Sequence, residues 1–202
     1  MSDSIEHFQK VLEQELFPYQ GKLVSVIKQQ LLPNSQGENK ASFAKLACKM
    51  LNVSSNQVPI EGTDTTAVIK TIRVTGDGKP AESMSFMNVK FDEWLADTEW
   101  ENSSLYHYFY EKPLILFVFQ QFPSGKRVPD SQMTFRGIKV WKMPNYDLNH
   151  GVKDIWVEVR RLINDGKLKI TQKPQKNGKL VNKNNLPGIK FNGIAHLRSG
   201  GA

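Results

Sequence analysis

The stretch "TAVIKTIRV", Thr66–Val74, decides how the rest of the chain is read. Its run of apolar and β-branched residues predicts a buried strand, yet Lys70 stands in the middle of it. Taking a lone ammonium out of water is costly, so a lysine in such a place has a partner or a task. The next residues, "TGDGKP" (75–80), place an Asp-Gly pair where a chain reverses tightly. "ESMSFMNVKF" (82–91), with Met84, Phe86 and Val89, then reads as a paired strand.

Upstream of this strand the pattern is helical. Ile5, Phe8, Val11, Leu12 and Leu16 recur at helical spacing in a helix that ends near Pro18, "KLVSVIKQQLL" (22–32) suggests a second, and "NKASFAKLACKML" (39–51) repeats the pattern with Phe43, Leu46, Ala47, Met50 and Leu51. Downstream, "DEWLADTEWENS" (92–103) is acidic and reads as helical or irregular. "KPLILFVFQQF" (112–122) is too continuously apolar for a half-exposed strand and belongs in the centre of a sheet, with "TFRGIKVWKMP" (134–144) beside it. "VKDIWVEVRRLINDG" (152–166) predicts a helix through Ile155, Val159, Leu162 and Ile163, closed by Gly166. Trp94, Trp100, Trp141 and Trp156 are core or interface anchors. The remainder reads as short strands and basic loops. The expected architecture is α/β, a mixed sheet flanked by helices in one domain spanning 1–202.

Charge narrows the partners. The formal charge of +7 is concentrated after Gly166, where Lys167, Lys169, Lys173, Lys176, Lys179, Lys183, Lys190 and Arg198 meet no Asp or Glu. That asymmetry points to a polyanion, because lysine and arginine neutralise phosphates and release their counterions. A membrane surface fits less well, since the basic segment is studded with Pro, Gly and Asn and forms no amphipathic helix. No run of about 18 apolar residues occurs, the N-terminus has no signal-peptide core, and the single Cys48 excludes an internal disulfide and a cysteine-based zinc site. These features predict a cytoplasmic protein.

Metal-dependent phosphodiester hydrolysis needs at least two carboxylates around a hard cation and a lysine near the attacking water. The usual order is an acid, a strand, then acid-x-Lys. Counting back from Lys70, the second acid position holds Val68, and an acid seven residues earlier is Glu61. Asp64 and Glu82 lack the spacing to sit beside Lys70 on one strand face. Gly76-Asp77-Gly78-Lys79 lacks the spacing and following helix of a phosphate loop and reads as a turn.

"VIKTIRVTGDGKPAESMSF" resembles the lysine-bearing segment of the MutH mismatch-repair endonuclease and its relatives among the GATC-cutting type II restriction enzymes, where a Glu-Leu-Lys-Thr core leads into a turn. "NKASFAKLACKML" is similar to the helix carrying that family's first acid, which falls on Cys48. "VKDIWVEVRRLINDGKL" is similar to its Asp-Trp helix. "ESMSF", "KFDEWLADTEWENS" and "IAHLR" resemble the C-terminal half of the Sau-type enzymes, and the likeness runs over roughly residues 20 to 202. It implies a MutH-like, restriction-endonuclease-like fold and a chain that is a piece of a longer enzyme, whose fold continues past Ala202.

Carried onto this sequence, the family's acidic triad becomes Cys48, Glu61 and Val68, with Lys70 retained. A thiol is a soft ligand ill suited to magnesium and valine supplies no ligand, so the resemblance implies a domain without catalytic residues, metal or cofactor, magnesium being expected only in the catalytic domain of the parent enzyme. Lys70 is then left to contact a phosphate or to pair with Glu61. In this reading Arg198 stands at the start of the family's base-contacting loop, with Ser199 and Gly200 where Pro and Lys would be. Lys40 matches a backbone-contacting lysine, and Arg73 and Lys79 flank the turn. Each of these three is a phosphate contact if it faces the DNA cleft and an ordinary solvated charge otherwise. His196, two before Arg198, is a DNA-facing candidate more simply read as a structural histidine. The implied function is that of an allosteric effector domain that binds double-stranded DNA containing GATC and regulates the N-terminal catalytic domain of the same enzyme. The alternatives are an active magnesium-dependent endonuclease using Glu61 and a protein-interaction module that only docks the catalytic domain.

Overall fold

The computed structural model describes residues 2–34, 40–96, 99–122, 128–175 and 178–197. These divide into two compact units, one formed by Met1–Met87 and Glu111–Lys142, the other by Asn88–Tyr110 and Met143–Ala202.

The first unit opens with the three expected helices, α1 (Ser2–Leu16), α2 (Val24–Leu31) and α3 (Lys40–Met50). Phe8, Leu12 and Leu16 of α1, Val24 and Ile27 of α2, and Phe43, Leu46, Ala47 and Met50 of α3 are buried together, each set recurring at three- and four-residue steps as one helical face requires. Asn52, at φ 52°, ends α3 in the left-handed conformation while the Val53 N–H returns to the Cys48 carbonyl at 2.9 Å.

The helices cover one face of a four-stranded mixed sheet in the order β1 (Gln57–Pro59), β2 (Thr66–Val74), β3 (Leu114–Gln121), β4 (Met133–Trp141). β2 and β3 are parallel and the outer pairs antiparallel. The apolar run of β3 therefore lies inside the sheet, as its composition predicts. Alternation sends Ala67, Ile69, Ile115, Phe117, Phe119, Met133, Phe135 and Val140 into the helical core, and leaves Val68, Lys70, Ile72, Leu114, Leu116 and Val118 on the other face.

The β4 edge is managed rather than left open. The Phe135 carbonyl accepts the Gly21 N–H at 2.8 Å, the Phe135 N–H donates to the Lys22 carbonyl at 3.0 Å, and the Gln9 side-chain oxygen accepts the Val140 N–H at 3.0 Å. Inside the same unit, the buried ammonium of Lys28 reaches Ser42 Oγ at 3.1 Å, pairs with the Asp130 carboxylate, and lies over the Phe43 ring.

Residues 82–91 are not the predicted paired strand. The reversal at 75–80 forms, with Gly78 at φ 79° and a bridge between Val74 and Pro80, but residues 83–90 add no strand to the sheet. The carbonyls a ladder would use are taken by a side chain, since Lys70 Nζ donates to Ser85 O at 3.1 Å and Phe86 O at 3.2 Å.

The second unit contains α4 (Phe91–Ala96), α5 (Ser104–Glu111), α6 (Asn145–Asp147), a π-helical turn at Leu148–Val152, α7 (Lys153–Asn164) and an antiparallel pair, β5 (Ile170–Pro174) and β6 (Leu180–Asn184). α7 buries Ile155, Trp156, Val159 and Leu162, and Gly166 at φ 64° closes it as predicted, with the Lys167 N–H on the Leu162 carbonyl. Trp94, Trp100 and Trp156 are buried, Trp100 Nε1 donates to Asn149 Oδ1 at 2.9 Å, and Trp141 in the first unit is half-buried. Arg160 caps the end of α4, donating to the Trp94 carbonyl and, at 3.2 Å, to that of Leu95 while stacking over the Trp156 ring.

Candidate functional site

The hairpin formed by β1 and β2 fixes where the would-be metal positions lie. Gln57 pairs with Val68, Val58 with Ala67 and Pro59 with Thr66. Glu61 stands beyond the last pair, exposed in a turn in which the Thr63 N–H returns to the Ile60 carbonyl at 3.1 Å and Gly62 adopts φ 74°. Lys70 lies in the middle of β2, four residues past Thr66, or about 13 Å of strand from the turn end. The residue across from Val68 is thus the neutral Gln57, and the register separates Glu61 from Lys70, so pairing of the two is not the arrangement found.

Cys48 belongs to α3, on the helical side of the sheet, whereas alternation puts Val68 and Lys70 on the opposite face. Its Sγ–H donates to the Ser55 carbonyl at 3.5 Å, and burial pushes the thiol up from its ordinary range. The three positions together supply one carboxylate, one protonated thiol and one aliphatic side chain, spread over a turn, a helix and a strand face. They do not fit a magnesium ion, which requires hard oxygen donors converging on one point. Among the described residues no group of three or more His, Cys, Asp and Glu side chains is arranged to hold a metal.

Lys70 is half-buried and pins the 80s segment across its face of the sheet, its ammonium 5.8 Å from the centre of the Phe86 ring. Arg73, three residues on, belongs to the opposite face. Its guanidinium donates to the buried Gln121 Oε1 at 2.7 Å and approaches Glu82 at 3.6 Å. The two cations named from the sequence on β2 therefore do not share a surface. Lys79 is exposed in the turn and pairs with Asp77 at 3.0 Å, while the Thr75 hydroxyl, the larger influence, and Lys79 hold the Asp77 carboxyl below its usual range.

Lys40 begins α3. His196 is half-buried in an irregular segment, not on a strand. That segment is tied down by the Leu197 N–H on the Pro187 carbonyl at 2.8 Å and by Asn192, whose amide donates to Gly151 O at 2.7 Å and whose oxygen accepts the Ile194 and Ala195 N–H groups. Arg198 lies outside the described residues.

Sheet register reveals a cation that the linear sequence did not single out. Leu116 of β3 is flanked by Lys70 and by Lys139 of β4, so both lysines belong to the face away from the helices, and Lys139 is exposed. The signal was only the period-two alternation of β4, which cannot be assigned to a face until its partner is known.

No protein-family profile matches the chain. Over 139 residues it is 31% identical to the type II restriction enzyme Sau3AI of Staphylococcus aureus, a match covering 65% of this chain. The chain is thus similar to part of a restriction enzyme. It spans about a quarter of the length of that relative, 27%. No described helix is long and apolar enough to cross a membrane.

Proposed function

We propose that this chain is a MutH-like DNA-binding domain of a cytoplasmic type II restriction endonuclease, directed to GATC, which grips duplex DNA without cutting it. Its task in the parent enzyme is allosteric. A site bound here shifts a companion catalytic domain toward a cutting-competent arrangement. The observation that supports this best is the acid-x-Lys strand, where the lysine survives and the acid has become Val68, paired to the neutral Gln57. With Cys48 on the far side of the sheet and Glu61 at a hairpin tip, the domain is read as needing no magnesium, and metal chemistry is left to the catalytic domain. The likeness to a restriction enzyme and the acid-free basic end supply the DNA partner. A coupling of this kind is reciprocal in free energy, so in the parent enzyme a second GATC site tightens binding to the first.

The test is binding of the purified chain to a GATC duplex and a scrambled duplex at matched salt. Preference for GATC, reduced more than total affinity by Arg198→Ala, is the expected result, because a guanidinium reads guanine through two acceptors at once. Equal binding to both duplexes would favour a module that only docks the catalytic domain.

A further inference from the structure

The β5–β6 pair has a sidedness that the basic character of the segment does not by itself require. Its register sets Thr171 opposite Lys183 and Lys173 opposite Val181, with Lys169 one step before β5 and Lys179 one step before β6. Because side chains alternate along a strand, Lys169, Lys173, Lys179 and Lys183 all belong to one face. The other face carries Ile170, Gln172, Pro174, Leu180, Asn182 and Asn184.

All five residues of β5 are exposed, so packing does not explain the segregation. Residues 166–202 themselves contain no Asp or Glu. No lysine of the strands stands directly opposite another, which avoids the worst like-charge pairing yet keeps the amines on one surface. An isolated two-stranded ribbon is marginal in water. This one is held at its base by Asn185, which accepts the Lys169 N–H at 2.8 Å and donates to the Lys167 carbonyl at 3.0 Å, and at its tip by the Gln175 N–H on the Lys179 carbonyl. Lys167, off the ribbon, pairs with Asp165 at 3.4 Å.

We infer that the lysine face of this ribbon is a track for the sugar-phosphate backbone of duplex DNA, supplying affinity without sequence preference. The inference rests on the DNA-binding reading above and adds which surface carries its electrostatic part. Four point charges on flexible stems suit phosphates, which they neutralise without reading bases. The amide and apolar face turns away from the duplex.

The experiment compares salt titrations of the 202-residue chain on the GATC and scrambled duplexes. In one variant Lys169, Lys173, Lys179 and Lys183 are all replaced by Gln, in a second all by Arg, and in a third Gln172→Ser and Asn182→Ser alter the opposite face. The glutamine variant is expected to lose on the order of 100-fold in affinity on both duplexes, with a log K against log salt slope shallower by about 3.6, near 0.9 for each of the four lost contacts. The arginine and opposite-face variants keep the parent slope. A parent chain that binds DNA with a slope the glutamine variant leaves unchanged overturns this inference alone. A parent chain that binds neither duplex overturns the DNA-binding reading, and the inference with it.

Discussion

At the scale of single residues, Lys70 has a structural task on the sheet face away from the helices. Its ammonium bonds to the carbonyls of Ser85 and Phe86, so it is the clasp that holds the 83–87 segment against the sheet. Lys70→Met keeps most of the bulk and removes both bonds. Stability should fall by about 1–3 kcal/mol by urea denaturation, with faster amide exchange concentrated in residues 83–87. Cys48 makes a pH-dependent prediction. Burial favours its neutral thiol, so the folded pKa lies above the unfolded one and the associated stability is complete below the unfolded value, near pH 8.5–9. It is lost as pH rises through the higher folded value. Alkylation by iodoacetamide at pH 8 should therefore be slower in the folded chain than in urea, and thermal stability should decline above about pH 9 less steeply in Cys48→Ala. Lys28 and Asp130, 102 residues apart in sequence, form a buried ion pair that no local pattern announces. Lys28→Met strands a carboxylate in the core, with an expected loss of about 3–5 kcal/mol, and Lys28→Met with Asp130→Leu should recover part of it in the same denaturation assay.

Among elements, legibility followed whether the sequence signal and its physical cause were both local. The three leading helices, the apolar β3 and the Gly166 closure were readable because helical spacing, continuous hydrophobicity and a left-handed terminus act within a few residues. Residues 82–91 misled because their strand-like composition met a lysine instead of a neighbouring strand. The site divided in the same way. That Lys70 and Arg73 occupy opposite faces follows from counting, whereas the separation of Glu61 from Lys70 and the pairing of Val68 with Gln57 required the hairpin register. The π turn at 148–152 gives a prediction at this level. A Cβ on Gly151 would lie 2.9 Å from that of Ile194, in the segment that leads to Arg198. Gly151→Ala should expose residues 192–197 to faster exchange and limited proteolysis, and Gly151→Ala with Ile194→Ala should restore protection if the close approach is the cause.

Across the whole molecule, a sheet with Val68 and Lys70 on one strand face and a basic C-terminal segment free of Asp and Glu belong to one chain similar to part of a restriction enzyme. In the function proposed above, Cys48, Glu61 and Val68 form no metal seat, so duplex DNA is retained whole. The most direct measurement mixes excess protein with an end-labelled GATC duplex and manganese, then resolves one reaction on native and denaturing gels. The predicted result is a retarded complex containing only full-length strands. Strands shortened at GATC by the parent chain, but left intact by Glu61→Gln, would contradict the claim.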